Sequence, residues 1–322
     1  MIKRIFHELK ASWLSLSLIP KPYNKYKLFR YIDMIYCIVK YGALSDDYIS
    51  LKFFEKSSKE RAEYITSGNK RLFYKAFYDD DARKTLAHKN LFSERFKDFV
   101  TRDWIYTANS SIEDIRKFIE SHDEVVIKPT NSTWGIGISV INSTMADKFI
   151  DKYKAAAGKE QYMIEEKLIN HPDIAKLNPA SLQTLRVETC IDQNGEFHLL
   201  NVLLMIGTKK IIVSNCHSGG VMCHVDMTTG KIDKEGYNPK GYWLASHPET
   251  GINFIGYKVP MIEELESYIR RVSQVMPNAR YVGWDVAITP KGFELIEGNF
   301  CPGQCTQTCD GIPKYEILKS YI

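Results

Sequence analysis

Three oxygen-bearing side chains near the C-terminal end have the types and spacing of a divalent-metal site. In VGWDVAITPKGFELIEGNFCPG (282–303), Asp285 precedes a Lys-Gly turn, and Glu297 and Asn299 follow it. Residues two apart in a strand point to one face, and a hairpin would bring Asp285 opposite them. Two carboxylates and an amide oxygen suit Mg²⁺, which keeps substrate phosphates among its ligands. Solvated hairpin positions are the alternative, but Glu297 lies in an apolar run, where a buried, unpaired carboxylate is costly.

A strand-end lysine followed by a loop with two glycines is a second candidate, for phosphate binding. In VVIKPTNSTWGIGISVI (125–141), Lys128 ends one β-branched run and a second run closes the segment. A charged head there is costly unless it meets an anion. In the loop, Ser132 and Thr133 offer hydroxyls, and Gly135 and Gly137 let phosphate oxygens come close to backbone N–H groups. It is not a P-loop, because no Gly-Lys-Ser/Thr follows and the next element is a strand. An ordinary hairpin with a surface lysine explains this segment equally well by itself.

The elements that must position these residues follow from hydrophobic spacing. Residues 1–85 show apolar residues near the helical period, and Ser57 or Ser58 is predicted to cap a helix. From about residue 122 the chain changes to short β-rich runs separated by turn residues. Helices are predicted again at 144–159 and 261–276. The pattern predicts an α+β fold built from several compact pieces.

Composition limits the class of protein. The chain has 322 residues, of which 44% are hydrophobic and 25% charged, as in globular proteins. No apolar run approaches the roughly 18 residues that a membrane span needs. Seven irregularly placed cysteines suit reduced thiols in a cytoplasm, and a net charge of +4 is too small to indicate nucleic acid. The N-terminal segment lacks the cleavage site of a secretion signal.

Basic charge is concentrated in the first 40 residues. They contain eight Lys or Arg and two acids, a net charge of +6, with Trp13 and several leucines interspersed. A basic, aromatic-containing amphipathic segment can lie on an anionic membrane face. The alternative is a helix that packs on its own domain and leaves a solvated basic face. The sequence leaves both open, as it does the oligomeric state.

Three cysteines recur at four-residue intervals near the end of the chain. On a helix, Cys301, Cys305 and Cys309 would share one face. A closed zinc site needs four ligands, and the other cysteines offer no evident fourth. We therefore expect ordinary thiols here rather than a metal cluster.

The order of these motifs resembles the ATP-grasp superfamily, whose members hold ATP between two α+β lobes and usually join an acid to an amine. The order begins with a strand-end lysine and the glycine-containing loop at 130–138, which we call the flap. The segment YMIEEKLI, a strand that contains an arginine, and the pattern D-x11-E-x-N-x3-G follow. YGALSDDYISLKFFEKSSKERAEYIT, LQTLRVET and SNCHSGGVMCHVDMTTGKI are similar to the sugar-transfer associated subgroup, over about 40–305. The departures are a tryptophan inside the flap and a glycine between Glu297 and Asn299.

The resemblance also implies a domain organisation. It places a helical region at 1–85, a segment with the first ATP lysine at 86–120, a small lobe with the flap at 121–170, and a large lobe with the Mg²⁺ site at 171–322.

The resemblance implies that ATP and two Mg²⁺ ions are the cofactors. Lys89, within KTLAHKNLFSERF, and Lys128 would contact the nucleotide phosphates from opposite sides. Trp134 at the flap tip would seal the site. Asp173 lies at the position where the family resemblance implies a contact with the ribose hydroxyls. The adenine edge would pair with the hinge segment, which comprises Glu165, Glu166, Lys167 and Leu168.

The resemblance also suggests residues that would act on the reacting groups. Arg186 would face the transferred γ-phosphate or the substrate carboxylate, although an ion pair with Glu188 is the rival interpretation. In SNCHSGG (214–220), Asn215 and His217 would donate to phosphate or to an oxyanion. His217 is either a general base or only a hydrogen-bond partner.

These features together predict an ATP-dependent carboxylate–amine ligase that acts through an acyl phosphate. The subgroup suggests a sugar-linked carboxylate and an amine as substrates, in surface polysaccharide or glycoconjugate biosynthesis. Two alternatives stay open: a kinase on the same scaffold, and a non-catalytic ATP-binding scaffold protein.

Overall fold

A computed structural model describes residues 2–130, 136–156, 160–208, 219–300 and 302–322. In this part of the chain, helices precede and cover two antiparallel sheets. The predicted α+β class is therefore confirmed. The N-terminal helices, the small sheet and the large sheet follow one another in the order of the sequence.

The first part of the chain is helical, as predicted. Ser57 is the N-cap of one helix: its hydroxyl accepts from the Glu60 amide, and the Glu60 carboxylate accepts from the Ser57 amide. The apolar inner faces form a separate core around Met34, Tyr48 and Phe53. The helices are α1 Ile2–Ser15, α2 Lys27–Tyr41, α3 Ser45–Ser50, α4 Ser58–Ala62, α5 Arg71–Ala76, α6 Asp80–Ala87 and α7 Lys89–Arg95.

The small lobe is a four-stranded antiparallel sheet with two helices packed on one face. Strand order is β1-β4-β2-β3, so Lys128 on β2 lies beside β4. Ile115 of α8 and Ile150 of α9 meet Ile127 and Ile164 of the sheet in one buried core. The elements are β1 Trp104–Tyr106, α8 Ile112–Glu120, β2 Val125–Pro129, β3 Ser139–Ile141, α9 Ala146–Ala155 and β4 Tyr162–Glu166.

The large lobe is an eight-stranded antiparallel sheet. Its strand order is β10-β9-β7-β6-β5-β11-β12, with β8 paired to β7. Strand β11 is buried along its whole length between β5 and β12, which makes it the rigid centre of the candidate site. The elements are α10 Pro172–Ala175, β5 Thr184–Ile191, β6 Phe197–Ile206, β7 Val221–Asp226, β8 Lys231–Ile232, β9 Gly236–Asn238, β10 Tyr242–Leu244, α11 Ile262–Val275, β11 Tyr281–Thr289, β12 Gly292–Phe300, α12 Thr306–Asp310 and α13 Tyr315–Ser320.

Helices α5 to α7 belong to the core of the large lobe rather than to the N-terminal core. Phe73, Phe77, Phe92 and Phe96 are buried in one cluster with Trp284 of β11. The Phe96 and Trp284 rings meet edge to face at 5.4 Å. This packing holds α7, and Lys89 at its first position, against the strands that carry the candidate metal ligands.

Two predicted elements are shorter than expected. The helix predicted at 144–159 spans Ala146–Ala155 and is preceded by a short 3₁₀ turn. The strand predicted from Gly135 begins only at Ser139, because Gly137 adopts a left-handed φ of 78° that interrupts an extended chain. No helix in the described ranges combines the length and apolar character needed to cross a bilayer.

Candidate active site between the two sheets

Lys128 meets a buried acid on the neighbouring strand. Its Nζ lies 2.5 Å from Oε2 of Glu165, and the two strands β2 and β4 are paired at this point. Burial by itself would raise the pKa of Glu165, but the charges of Arg102 and Lys128 outweigh burial and lower it to about 2. Lys128 is therefore held in place by a carboxylate that stays ionised at neutral pH.

Arg102 joins the small lobe to the large lobe. Its Nε lies 2.8 Å from Glu165 of β4, and its Nη1 lies 2.9 Å from Glu294 of β12. The side chain of Arg102 is only 1% exposed, and Nη1 also donates to the Leu295 carbonyl at 2.7 Å. Burial would lower the pKa of Arg102, but the two carboxylates raise it. Lys128 is thus linked through Glu165 and Arg102 to the large sheet.

Lys89 shares the same electrostatic neighbourhood. Burial lowers the pKa of Lys89, and the charge of Lys128 lowers it further, whereas Glu297 and Glu165 raise it. Both lysines and both acids therefore act on one another, although they come from α7, the small sheet and the large sheet. A polyanionic ligand at this place would relieve the repulsion between the two ammonium groups.

A glycine allows α7 to approach the metal-site strand. A Cβ on Gly298 would lie 2.8 Å from Leu86 and 3.2 Å from Phe92, the residues that flank Lys89. Any larger residue at this position would require the side chains of Leu86, Phe92 or Trp284 to move. The glycine between Glu297 and Asn299, which departs from the family pattern, therefore has a packing reason.

Arg186, Asp285 and Glu297 lie in one row across three neighbouring strands. Asp285 is the register partner of Arg186 on β5 and of Glu297 on β12, so the three side chains share a face. Arg186 binds Asp285 in a bidentate manner, with Nε to Oδ1 at 2.5 Å and Nη2 to Oδ2 at 3.1 Å. The Asn299 amide lies 3.4 Å from Asp285 and 3.3 Å from Glu297.

The charge balance of this row suits a divalent cation. Burial raises the pKa of Asp285 to about 6; Arg186 opposes this rise, and Glu297 adds to it. Two carboxylates compete for one guanidinium, so the row carries one negative charge too many when both are ionised. A cation such as Mg²⁺ would neutralise that excess, and the amide oxygen of Asn299 is available by rotation of its side chain. Asp285, Glu297 and Asn299 thus fit the predicted ligand set.

One expectation about these residues is wrong, and one rival interpretation does not hold. Glu297 was expected to be buried in an apolar run, but it is exposed, because β12 is an edge strand of the sheet. The rival ion pair of Arg186 with Glu188 does not form. Glu188 instead binds Lys314 at 2.6 Å, and Lys314 also binds Asp310 at 3.0 Å. This second group is almost completely buried, and the charge of Glu188 helps to raise the pKa of Arg186.

The hinge segment is already engaged by neighbouring residues. The Glu166 amide donates to the Asp103 carbonyl at 2.8 Å and the Lys167 amide to the Glu124 carbonyl at 3.2 Å. The Lys167 ammonium also pairs with the Glu124 carboxylate. The contact with adenine stays a prediction for the four hinge residues Glu165, Glu166, Lys167 and Leu168. The Glu165 side chain binds Lys128 in this structure.

Asp173 lies on the large lobe, in the first turn of α10. Its carboxylate accepts from the Lys176 ammonium at 2.6 Å and is half exposed. These two groups bind one another, and their pairing lowers the pKa of Asp173. The ribose contact stays a prediction.

Several predicted residues lie outside the described residues. They are Ser132, Thr133, Trp134 and Gly135 in the flap, Asn215 and His217 in the second loop, and Cys301. Gly137 is described: its φ is 78°, and a Cβ there would lie 2.9 Å from the Pro129 ring. The end of the flap therefore returns close to the strand that carries Lys128.

Sequence reasoning missed Arg102, Glu294 and Lys314. Arg102 stands beside an aspartate in VTRDW, and Glu294 alternates with apolar residues in FELIE, which resembles a solvated strand position. Neither segment carries a motif. Arg102 and Glu294 are 192 positions apart, and Lys314 and Glu188 are 126 positions apart. Only a pairing signal over such separations would have indicated them, and a single sequence contains no such signal.

Two antiparallel sheets with helices packed on each, linked through the ion pairs of Arg102, form an ATP-grasp fold. The chain belongs to the sugar-transfer associated ATP-grasp family, whose model matches residues 59–312. A comparison with curated proteins found no match.

Several solved structures are similar to this chain. D-alanyl-alanine synthetase A from Vibrio cholerae is 15% identical, with a TM-score of 0.43; the match covers 69% of this chain and 57% of that one. A RimK domain ATP-grasp protein from Sphaerobacter thermophilus is 10% identical, with a TM-score of 0.46 and coverage of 75% and 69%. D-alanine–D-alanine ligase from Bacillus anthracis, complexed with ATP, is 12% identical, with a TM-score of 0.43 and coverage of 74% and 66%. These similarities are weak, so family membership rests on the family match.

Proposed function

We propose that this protein is an ATP-dependent ligase that joins a carboxylate to an amine through an acyl phosphate. The observation that carries this proposal is the row of Arg186, Asp285 and Glu297, with Asn299 beside it. Arg186 and Asp285 are held at 2.5 Å on adjoining strands, and the charge of Glu297 reaches Lys89. The site combines the guanidinium of Arg186, an excess of carboxylate charge and the two lysine ammonium groups. This combination of charges suits a triphosphate that is bound to a metal ion.

Each side chain has a distinct task in this proposal. Lys89 and Lys128 bind the phosphates, and Arg186 faces the γ-phosphate, where negative charge develops. Asp285, Glu297 and Asn299 would hold Mg²⁺, which neutralises phosphate charge when bound; we propose two ions, as the family resemblance implies. The flap residues and the loop with Asn215 and His217 would complete the phosphate contacts.

The reaction proceeds in two balanced steps. A carboxylate oxygen of the substrate attacks the γ-phosphorus, the bond to the bridging oxygen of ADP breaks, and an acyl phosphate forms. The amine nitrogen then attacks the acyl carbon, phosphate leaves, and the nitrogen loses a proton as the amide forms. Positioning and charge neutralisation supply most of the catalysis. Because acyl phosphates hydrolyse, closure of the flap over 130–138 would also exclude water.

The family description points to a sugar-linked substrate. We propose a uronic acid or another sugar carboxylate, with an amino acid or an amino sugar as the amine, in surface polysaccharide or glycoconjugate biosynthesis. We propose that this reaction takes place in the cytoplasm; the requirement for ATP and the free thiols support this proposal.

A substrate matrix tests the proposal. Purified protein and Mg·ATP are mixed with pairs of carboxylates and amines, and ADP release and product mass are measured. A ligase releases ADP and forms an amide only when both partners are present, and hydroxylamine should trap its acyl phosphate as a hydroxamate. A stable phosphorylated product that needs no amine would identify a kinase instead.

A matched pair of variants links the activity to the site. Glu297→Gln should abolish ADP release, whereas Glu249→Gln, which changes an exposed acid elsewhere on the large lobe, should not. Full activity of Glu297→Gln would contradict the metal assignment. Failure of the wild-type protein to bind Mg·ATP would contradict the proposed function as a whole.

A further inference from the structure

Helix α2 presents an apolar ridge to solvent. Leu28, Ile32, Tyr36 and Val39 recur at the spacing of one helix face and are 65%, 58%, 43% and 82% exposed. The opposite face of the same helix is buried in the N-terminal core through Met34 and Cys37. A helix that is apolar on both sides is unexpected at the surface of a protein that faces only water.

Other exposed large apolar residues lie close to the ridge in sequence, and the Trp13 ring contacts the ring of Tyr31 on α2, with centroids 5.4 Å apart. Five more exposed large apolar residues precede it or flank it: Trp13, Leu14, Leu18, Tyr23 and Tyr26. Phe29 on α2 is also exposed, at 62%. Elsewhere in the described residues, exposed apolar side chains such as Ile255 and Ile312 occur singly. We call the exposed apolar residues from 13 to 39 the N-terminal apolar face.

The rim of this face is basic. Lys40 donates to the Tyr36 hydroxyl at 2.7 Å, and the Lys25 ammonium lies 5.5 Å from the centroid of the Tyr26 ring. Three further exposed lysines belong to the same part of the chain: Lys10, Lys21 and Lys27. Arg30 lies over the ring of Phe29, at 5.7 Å from its centroid. Aromatic rings and long basic side chains are the residue types that settle at the boundary between lipid tails and headgroups.

The two acids of this region point away from the face. Asp33 accepts from Arg61 at 2.7 Å and from the Tyr48 hydroxyl at 2.5 Å, both on the inner side of α2. Glu8 accepts from the Ser45 amide at 2.8 Å. Because both carboxylates are occupied within the fold, the charge that the face offers to a partner is almost entirely positive.

We infer that the N-terminal apolar face docks on an anionic lipid surface, with α2 lying in the plane of the membrane. The ridge would enter the headgroup region and the lysines would contact lipid phosphates. A second copy of the chain suits the face less well, because the two basic rims would then repel one another. This inference is independent of the chemistry proposed for the ATP site.

Sedimentation with vesicles tests the inference on the full chain. Vesicles of phosphatidylcholine alone are compared with vesicles that also contain phosphatidylglycerol. We expect binding only to the anionic vesicles, weakened by added salt. Ile32→Asp with Val39→Asp should abolish binding, and Lys25→Gln with Lys27→Gln should weaken it by about fivefold per lysine.

The controls separate lipid binding from misfolding and from self-association. Ile255→Asp changes an equally exposed isoleucine on the large lobe and should bind vesicles like the wild type. All variants should retain the unfolding temperature and ATP affinity of the wild type, since the altered side chains are exposed. The inference would be overturned if the wild-type protein did not bind anionic vesicles, or if the ridge variants bound them as strongly as the wild type. So would a wild-type dimer, seen by light scattering, that the ridge substitutions convert to a monomer.

Discussion

Replacing Arg102 with methionine should destabilise the fold by about 3 kcal/mol, at the lower end of the range for breaking a buried ion pair. The substitution leaves Glu165 and Glu294, which are 5% and 4% exposed at their side chains, without a guanidinium. The loss stays near the lower end because both acids keep other partners. Glu165 retains Lys128, and Glu294 retains the Thr101 hydroxyl at 2.5 Å and the Thr101 amide at 3.0 Å.

Urea unfolding of Arg102→Met and wild type measures this loss, with Arg116→Met as the control. Arg116 pairs with Asp147 at 2.6 Å, but both side chains are exposed, so its loss should cost less than about 1 kcal/mol. Adding Glu294→Gln to Arg102→Met should recover part of the stability, because one unpaired buried charge is then removed. Equal stability of Arg102→Met and wild type would refute the idea that this network joins the lobes.

The same variant should also bind ATP more weakly. In the proposed complex with ATP, Arg102 would keep the charge of Glu165 neutralised when the phosphates draw Lys128 away. Without Arg102, Lys128 can stay with Glu165 and lose its contact with the phosphates. If Lys128 binds the phosphates instead, Glu165 becomes an unpaired buried carboxylate. We expect a loss of tenfold or more in ATP affinity by calorimetry, corresponding to about 1.4 kcal/mol or more. An unchanged affinity would show that Lys128 is positioned by other contacts.

Four further predictions concern the site itself. Lys128→Ala should weaken ATP binding strongly while Lys117→Ala, an exposed lysine on α8, leaves it unchanged; equal affinities would exclude the phosphate role. Glu297→Ala should leave the unfolding midpoint unchanged, since the side chain is exposed; a large drop in the midpoint would mean that Glu297 is structural. Apparent Mg²⁺ affinity should rise with pH and level off above about 6, because Asp285 must lose its proton to bind metal; a flat profile would contradict its raised pKa. The stability that Glu165 contributes, with its lowered pKa, should be complete above pH 4.5 and lost as the pH falls toward 2, as acid unfolding of the wild type and Glu165→Gln would show.

Local periodicity was sufficient for most elements. The run FHLLNVLLMI coincides with β6, and the cap at Ser57 is formed as predicted. The hairpin of β11 and β12 could also be predicted, because a Lys-Gly turn between two β-rich runs leaves few alternatives. Gly292 at that turn has a φ of 121°, a conformation that glycine adopts without strain. Periodicity, helix caps and turns depend on residues that are close together in sequence, so they can be recognised without knowledge of the fold.

The candidate site could be predicted only in part. A hairpin brings Asp285 and Glu297 together whatever the rest of the chain does. Whether Glu297 is buried depends on its strand being at the edge of the sheet, and Arg186 reaches Asp285 only because β5 pairs with β11. Strand order is a property of the complete sheet, which is why the expected burial of Glu297 was wrong.

The sequence by itself determined the α+β class, the helical beginning, the family resemblance and the types of side chain available for chemistry. The tertiary structure alone decided which charges meet: Arg102 with Glu165 and Glu294, and Lys314 with Glu188. It also decided which face of α2 stays in solvent. The physical reason is that hydrophobic periodicity and turn preferences act between neighbours in sequence. The pairing of buried charges and the exposure of a face depend on elements far apart in the chain that only folding brings together.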